Sequence, residues 1–148
     1  MVDDKTDRPL DLGSLRAAVQ ALANAVDVVS SAEFAAVDPR WRDILTAGVV
    51  QHFEFTFELC WKMLKRQLER ELPSPSEIDG LSYRELFRLG HQRGLIADIE
   101  PWFEFRELRI ITAHTYARDK ALKVVGGAAP LLAQARNLLQ ALEARNHG

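Results

Sequence analysis

The segment that follows Asp38 constrains the fold most, because no Gly-Pro break interrupts it before "LPSPSEIDG". Asp38 is a favourable N-cap, and Pro39 follows at the first helical position, where its missing N–H costs nothing. The pattern therefore predicts one long helix over about residues 39–71. The other long segments carry helical rather than alternating periodicity as well. Together they predict an all-α fold.

The predicted long helix is apolar on two adjoining faces. One stripe at helical spacing contains Phe53, Phe57, Trp61, Leu64 and Leu68. A second stripe beside it contains Phe55, Leu59 and Met63. A helix of this kind is buried more deeply than an ordinary surface helix. The sequence allows two ways of burying it, by the rest of the bundle or by a partner chain.

A polar stripe, made by Glu54, Glu58, Lys62 and Lys65, follows the same helix. It allows two interpretations. The stripe is a solvated face with ion pairs between side chains four residues apart, Glu58 with Lys62 in particular. Alternatively, Glu54 or Glu58 faces a polar site within the bundle or at its interface. We expect His52 to be a surface or core residue rather than a ligand.

Cap signals predict the remaining long helices. The first spans about residues 12–31, after a Ser or Asp cap near "DLGS", and the third opens with a capping box of Ser82 and Glu85 and stops at Gly94. The fourth has Pro101 in its first turn and carries "RIITAHTY" at its far end. The last spans about residues 119–145, where Gly126, Gly127 and Pro130 weaken it and Pro130 should kink or split it.

We therefore predict an up-and-down bundle of four to six helices in one domain of 148 residues, with its core at about residues 10–145 and a flexible segment 1–9. A net charge of −2 gives no global attraction to nucleic acid or membrane. The single cysteine, Cys60, fits a reducing compartment, and no hydrophobic leader or membrane span is present, so we expect a cytosolic protein. The spacing of the four histidines predicts no metal site, and nothing predicts a cofactor.

The segment "RIITAHTY" combines Arg109, His114 and Tyr116 within eight residues. Histidine exchanges protons near neutral pH, and arginine is a permanent cation that binds phosphate oxygens. On a straight helix, His114 lies about 140° around the axis from Arg109, so both cannot face one small target. Either the helix unwinds near Thr112–His114, or a second copy in a two-fold dimer supplies the other half. In the simplest alternative, Arg109 makes a surface ion pair and His114 caps a helix end.

Three segments, in this order, resemble a known family: "FEFTFELCWKMLKRQLE", "FRLGHQRGLI" and "RIITAHTY". They resemble the nucleotidyltransferase substrate-binding subunit family of the HEPN superfamily, which is related to HepT-like toxins. The resemblance covers about residues 10–140, and the family motif Arg-x-x-x-x-His-x-Tyr corresponds to Arg109, His114 and Tyr116. It implies a helical bundle that forms homodimers and a separately encoded minimal nucleotidyltransferase as partner, through which the subunit meets a nucleotide.

In the related toxin–antitoxin pairs, the HEPN subunit is a metal-independent RNase, and the nucleotidyltransferase transfers AMP from ATP onto the motif tyrosine. The resemblance thus implies that His114 is the acid/base, Arg109 the phosphate clamp and Tyr116 the AMP acceptor. Two departures, Ile110 where a polar residue is common and Ala113 where Ser is common, weaken the expectation of RNA cleavage more than that of partner binding.

Three functions stay open at this stage. The chain is a substrate-binding or partner subunit of a nucleotidyltransferase, an RNase toxin with paired motifs, or a structural dimer with an inert motif. Whether it is an enzyme is therefore left open. Supporting polar residues would be Glu54, Glu58, Lys62 and Thr112. Positive charge for RNA would come from Lys62, Lys65, Arg66, Arg106 and Arg118.

Overall fold

The structure, a computed structural model, describes residues 8–114 and 118–146, except the side chains of residues 113 and 114. Every regular element in this part of the chain is an α-helix. The helices are α1 (Gly13–Val29), α2 (Ala32–Ala36), α3 (Pro39–Glu71), α4 (Pro75–Asp79), α5 (Tyr83–Gln92), α6 (Glu100–His114) and α7 (Arg118–Asn146). The all-α prediction is confirmed. The two five-residue helices α2 and α4 bring the described number to seven, above the predicted four to six.

The long helix α3 has the predicted boundaries. Asp38 is its N-cap, and the Asp38 carboxylate accepts a hydrogen bond from the backbone N–H of Arg40 at 2.9 Å. Pro39 occupies the first turn, and the helix continues to Glu71 without interruption. The helix α1 is slightly shorter than predicted. Its N-cap is Leu12, which has no polar side chain for capping, and the carboxylate of Asp11 accepts instead from the N–H of Gly13 at 2.9 Å.

The predicted cap residues of α5 are confirmed at both ends. The Ser82 hydroxyl accepts a hydrogen bond from the N–H of Glu85 at 3.2 Å and donates one to its carboxylate at 3.0 Å. At the other end Gly94 has a φ of +80°, a left-handed conformation that side chains other than glycine adopt at a cost. The N–H of Gly94 bonds to the carbonyl of His91 and that of Leu95 to the carbonyl of Gly90, which is the Schellman pattern of a helix end.

The helix α7 corrects one part of the prediction. Pro130 lies inside α7, which continues as one helix from Arg118 to Asn146 and is not split. Pro130 is exposed, whereas Ala128, Leu131 and Leu132 around it are buried. Burial of these neighbours outweighs the one backbone hydrogen bond that a proline removes.

Ion pairs between helix ends give the directions of two long helices in the up-and-down bundle. Arg118 at the start of α7 pairs with Asp43 near the start of α3 at 2.7 Å. Arg145 at the end of α7 pairs with Glu71 at the end of α3. The two helices therefore run in the same direction.

The opposite direction of α1 follows from its own contacts with α7. Arg16 in the first turn of α1 meets Glu143, near the end of α7, at 2.9 Å. The N–H of Leu10 bonds to the side chain of Asn146 at 2.8 Å. Of the segment predicted to be flexible, residues 1–7 lie outside the described residues.

The first apolar stripe of α3 forms the centre of the core. Four of its members are buried, and the fifth, Trp61, is half-buried: the buried ones are Phe53, Phe57, Leu64 and Leu68. Cys60 is also buried there, and burial raises the pKa of its thiol, which keeps it protonated. The second stripe behaves differently, since Met63 is buried but Phe55 is 63% exposed. The protomer alone therefore does not cover both faces of α3.

Aromatic rings join α5 and α6 to this core. The ring centroid of Trp102 lies 5.1 Å from that of Phe87 and 5.3 Å from that of Phe105, which in turn contacts Phe53 edge-on. The hydroxyl of Tyr83 donates a hydrogen bond to the backbone carbonyl of Trp102 at 3.0 Å. No helix in the described residues is both long and apolar enough to cross a membrane.

The left-handed conformation at Gly94 leads to a stability prediction. We expect Gly94→Ala to lower the free energy of unfolding by about 1–2 kcal/mol, because a Cβ is unfavourable at positive φ. Chemical denaturation followed by circular dichroism measures this change. The control is Gly126→Ala, where the helical backbone is exposed and an added Cβ meets nothing within 4 Å. That substitution should raise stability by about 0.5–1 kcal/mol, and a loss at Gly126 equal to that at Gly94 would contradict the argument.

Candidate functional site

Arg109 lies on α6 and points toward α3, where two carboxylates receive it. Its Nε donates to Glu58 Oε1 at 3.3 Å, and its Nη1 lies 3.7 Å from Glu54 Oε2. The three side chains are each about one-third exposed. Glu54 and Glu58 are four residues apart, so they face the same side of α3. The arginine therefore joins two helices at the protein surface.

Thr112 completes this group, which we call the Arg109 cluster: Arg109, Glu54, Glu58 and Thr112. The Thr112 hydroxyl accepts a hydrogen bond from Arg109 Nη1 at 3.3 Å and donates one to the backbone carbonyl of Arg109 at 2.8 Å. Three of the four predicted supporting residues thus contact Arg109. The fourth, Lys62, does not, because its ammonium lies over the ring of Trp61 at 5.9 Å.

The sequence analysis placed Trp61 in an apolar stripe and did not predict that it makes a polar contact. Its indole Nε1 donates a hydrogen bond to Glu58 Oε2 at 3.1 Å, so the two oxygens of this carboxylate bind different partners. The expected Glu58–Lys62 ion pair was wrong, because Glu58 binds Arg109 and Trp61 instead. The spacing of Glu58 and Trp61, three residues apart on one helix, was the available signal.

The charges of the Arg109 cluster do not balance, since one guanidinium meets two carboxylates. Arg109 is therefore not a free cation in the single protomer. The simplest interpretation of the sequence expected an ion pair of Arg109 at the helix surface, and Arg109 does form ion pairs. These pairs, however, join α6 to α3 and are partly buried. Any phosphate that binds here must use the remaining N–H groups of the guanidinium or displace a carboxylate.

The second motif residue, His114, is the last residue of α6. The backbone of α6 stays helical through His114, so unwinding between Thr112 and His114 is not observed. The side chain of His114 and the whole of Tyr116 lie outside the described residues. Of the two arrangements that bring Arg109 and His114 to one target, the one that uses a second copy of the chain is compatible with this helix.

Other predicted cations are bound elsewhere. Lys65 pairs with Asp79 at 2.7 Å, and this hydrogen bond raises the pKa of Lys65. Arg118 pairs with Asp43, which likewise raises the pKa of Arg118. Across the described ranges, no group of three or more His, Cys, Asp or Glu side chains is arranged to hold a metal ion.

Comparisons with known proteins agree with this architecture. Residues 10–144 match the family described as nucleotidyltransferase substrate binding protein like. The chain belongs to this family. It is 35% identical over 142 residues to a protein of Haemophilus influenzae named probable ribonuclease HepT, across 95% of this chain and 97% of that one.

A solved structure from Haemophilus influenzae is also similar, with a TM-score of 0.86 and 34% identity over 90% of this chain and 99% of that chain. It is described as the fold of a substrate binding domain of a nucleotidyltransferase. In the present chain, the residue after Arg109 is Ile110, which is 42% exposed. An apolar side chain thus lies in solvent directly beside the Arg109 cluster.

The contacts of Glu58 lead to a coupling prediction. A double-mutant cycle with Glu58→Gln and Arg109→Gln should give a coupling energy of about 0.5–1 kcal/mol, at the upper end for partly exposed pairs. Urea denaturation of the four proteins measures it. A second cycle with Glu58→Gln and Lys62→Gln should give a coupling near zero. Equal coupling in both cycles would contradict the observed pairing.

Proposed function

We propose that this chain is the substrate-binding partner subunit of a two-component minimal nucleotidyltransferase system of the toxin–antitoxin kind. It presents the motif of Arg109, His114 and Tyr116 to its partner. The observation that carries the proposal is the Arg109 cluster, which fixes the first motif residue at the surface, five residues before the end of α6. The family and the substrate binding domain of similar fold support the same role.

Within this proposal the motif residues have separate roles. Tyr116 is the AMP acceptor or a substrate contact, since a phenolic oxygen attacks the α-phosphorus of ATP once a base takes its proton, and pyrophosphate leaves. Arg109 binds phosphate oxygens with its remaining N–H groups. Glu54, Glu58 and Thr112 fix the orientation of Arg109. The low cysteine content, a single Cys60, fits a cytosolic location for the pair.

A second candidate function is a metal-independent RNase toxin that AMP transfer to Tyr116 neutralises. The similarity to the protein named probable ribonuclease HepT favours it. Here His114 takes the proton of a ribose 2′-hydroxyl and Arg109 stabilises the charge that develops on the phosphorus oxygens. One observation favours the partner role over this one: Ile110, directly after Arg109, is apolar.

We also propose that the subunit is a homodimer through the exposed stripe of α3. Trp41, Ile44 and Phe55 are 64%, 72% and 63% exposed. On a helix with about 100° per residue they fall within about 60° of one another. Gly48 lies on the same side, and a Cβ built there meets nothing within 4 Å. Such an exposed apolar stripe is characteristic of an interface.

The position of this stripe connects dimerisation to the motif. Phe55 lies directly after Glu54 and three residues before Glu58, the two carboxylates that bind Arg109. A two-fold axis through the α3 stripe therefore brings the two copies of α6 toward a shared cleft. This arrangement supplies the second Arg109 and His114 that one straight helix cannot provide.

The partner role predicts that a nucleotidyltransferase binds this chain and modifies it. We expect the chain to co-purify with a small nucleotidyltransferase, and incubation with ATP to add one AMP group to the wild type. Intact-mass spectrometry measures the addition, and Tyr116→Phe is the matched control that should stay unmodified. An unmodified wild type, or equal modification of Tyr116→Phe, would exclude Tyr116 as acceptor. Failure of the two proteins to associate would refute the partner role itself.

The same proteins separate the two candidate functions. Expression of the chain without its partner should leave growth and cellular RNA unchanged if it is only a binding subunit. Growth arrest that disappears in both Arg109→Ala and His114→Ala would instead establish the RNase. Tyr116→Phe serves as the control, because it removes the modification site and keeps the acid/base and the cation.

The proposed interface predicts a change of oligomeric state. Phe55→Glu and Ile44→Glu should each convert the dimer to a monomer, because a carboxylate cannot be buried against its own copy without a large desolvation cost. Size-exclusion chromatography with light scattering measures this, and circular dichroism checks that the variants fold. The control is Ala133→Glu, an equal charge change at an exposed position of α7. A wild-type monomer, or dimers of both α3 variants, would disprove this interface.

A further inference from the structure

Glu58 has two cations within its reach, and the local sequence favours the one that it does not bind. Lys62 follows Glu58 by four residues on α3, and a glutamate that precedes a lysine at this spacing is the favourable order for an ion pair. Arg109 is 51 residues away on another helix, yet its Nε donates to Glu58 Oε1 at 3.3 Å. A contact outside the pair therefore directs this carboxylate away from its own helix.

The side chain of Trp61 contacts both Glu58 and Lys62. Its indole Nε1 donates a hydrogen bond to Glu58 Oε2 at 3.1 Å. The face of its ring attracts the ammonium of Lys62, which lies 5.9 Å from the ring centroid. One side chain thus occupies one oxygen of the carboxylate and offers the lysine another place to bind.

The hydrogen bond from Trp61 also restrains the direction of the Glu58 carboxylate. The last torsion of a glutamate side chain is broad when its oxygens have no fixed partners. Because Trp61 binds Oε2, this torsion is restrained, and Oε1 binds Arg109 on α6. Trp61 is half-buried and Glu58 is about one-third exposed, so water is partly excluded from the bond. A hydrogen bond to an ionised carboxylate is also stronger than one between neutral groups.

We propose that Trp61 is a positioning residue for the motif, because it assigns Glu58 to Arg109 instead of Lys62 and so holds the guanidinium in one orientation. Trp61 acts through Glu58 and not on the reacting atoms. Without the indole N–H, the Glu58 carboxylate rotates and pairs with Lys62 for part of the time. The effect of Trp61 on AMP transfer rests on the proposed function, whereas the choice of partner by Glu58 does not.

Double-mutant cycles in two backgrounds test this choice of partner. Trp61→Phe keeps an aromatic ring and removes the N–H. In this background the Glu58–Arg109 coupling should fall by about half or more, and the Glu58–Lys62 coupling should rise from near zero to a measurable value. Trp61→Leu, which also removes the ring face, should extend both changes in the same direction. Urea denaturation measures the couplings, and a general loss of stability does not move them in opposite directions.

Tyr83→Phe is the matched control for these cycles. The Tyr83 hydroxyl donates to the backbone carbonyl of Trp102 at 3.0 Å, so this variant also removes one partly buried ring donor and keeps the ring. The lost hydrogen bond does not involve Glu58. Both couplings should therefore keep their wild-type values. Unchanged couplings in Trp61→Phe, or equal changes in Trp61→Phe and Tyr83→Phe, would overturn the proposal.

A second measurement keeps Trp61 and so does not depend on how its variants fold. The indole N–H of Trp61 gives its own signal in a nitrogen–proton correlation spectrum. Glu58→Gln and Arg109→Gln should each shift this signal, because both change the carboxylate that the indole binds. Arg84→Gln should leave it in place, since Arg84 lies over the ring of Phe103, outside the Arg109 cluster. A Trp61 signal that neither cluster variant moves contradicts the shared carboxylate.

The consequence for the motif is measured as the rate of AMP addition to Tyr116. With the nucleotidyltransferase and ATP at saturating concentrations, Trp61→Phe should lower this rate about tenfold, because a misplaced contact group loses rate steeply with distance. Tyr83→Phe should retain the wild-type rate. Shifted couplings with an unchanged rate in Trp61→Phe would refute the positioning role.

Failure of this inference is distinguishable from failure of the proposed function. If the wild-type chain is never modified, the proposed function fails, and the cycles and the Trp61 signal still decide which partner Trp61 gives to Glu58. If Tyr116 is modified and Trp61→Phe changes neither the couplings nor the rate, only the role of Trp61 is disproved.

Discussion

The rest of the structure depends on covering α3. Each large apolar side chain that leaves water contributes about 1.5–3 kcal/mol, and α3 buries Phe53, Phe57, Leu64 and Leu68 against the other helices. The same helix carries Glu54 and Glu58 on a neighbouring face. The packing that buries the aromatic stripe therefore also fixes where the two carboxylates lie. The site is a consequence of the core, since no separate element is needed to position it.

Partial burial of charge explains the composition of the Arg109 cluster. A carboxylate that loses part of its hydration between two helices needs a cation or a hydrogen-bond donor in return, and Glu58 obtains both, from Arg109 and Trp61. The second carboxylate, Glu54, leaves a negative excess beside the motif. The contacts with Glu54, Glu58 and Thr112 hold Arg109 in one orientation. In the proposed role of Arg109, a phosphate therefore meets a guanidinium that is already paired with carboxylates.

Local signals made much of the fold predictable. Asp38, Pro39, Ser82 and Gly94 each mark a helix end through contacts within a few residues, and the structure has helix ends at these positions. Pro130 was harder to interpret, because buried neighbours from across the bundle keep α7 continuous. Likewise, the spacing within α3 favoured Lys62 as the partner of Glu58, whereas the actual partner is 51 residues away. The motif was recognisable by resemblance, but the Arg109 cluster joins residues of two helices and leaves no local pattern.

The burial of Cys60 has a practical consequence for site-specific labelling of the protein. It is the only cysteine in the sequence, and its thiol is enclosed in the core with a raised pKa. The thiolate is the form that reacts with maleimides and similar reagents, so the native Cys60 does not react with them. A cysteine introduced on the exposed surface near the motif is then labelled alone, once per subunit. In the proposed homodimer, paired spin labels or fluorophores placed in this way would report the distance between the two motifs.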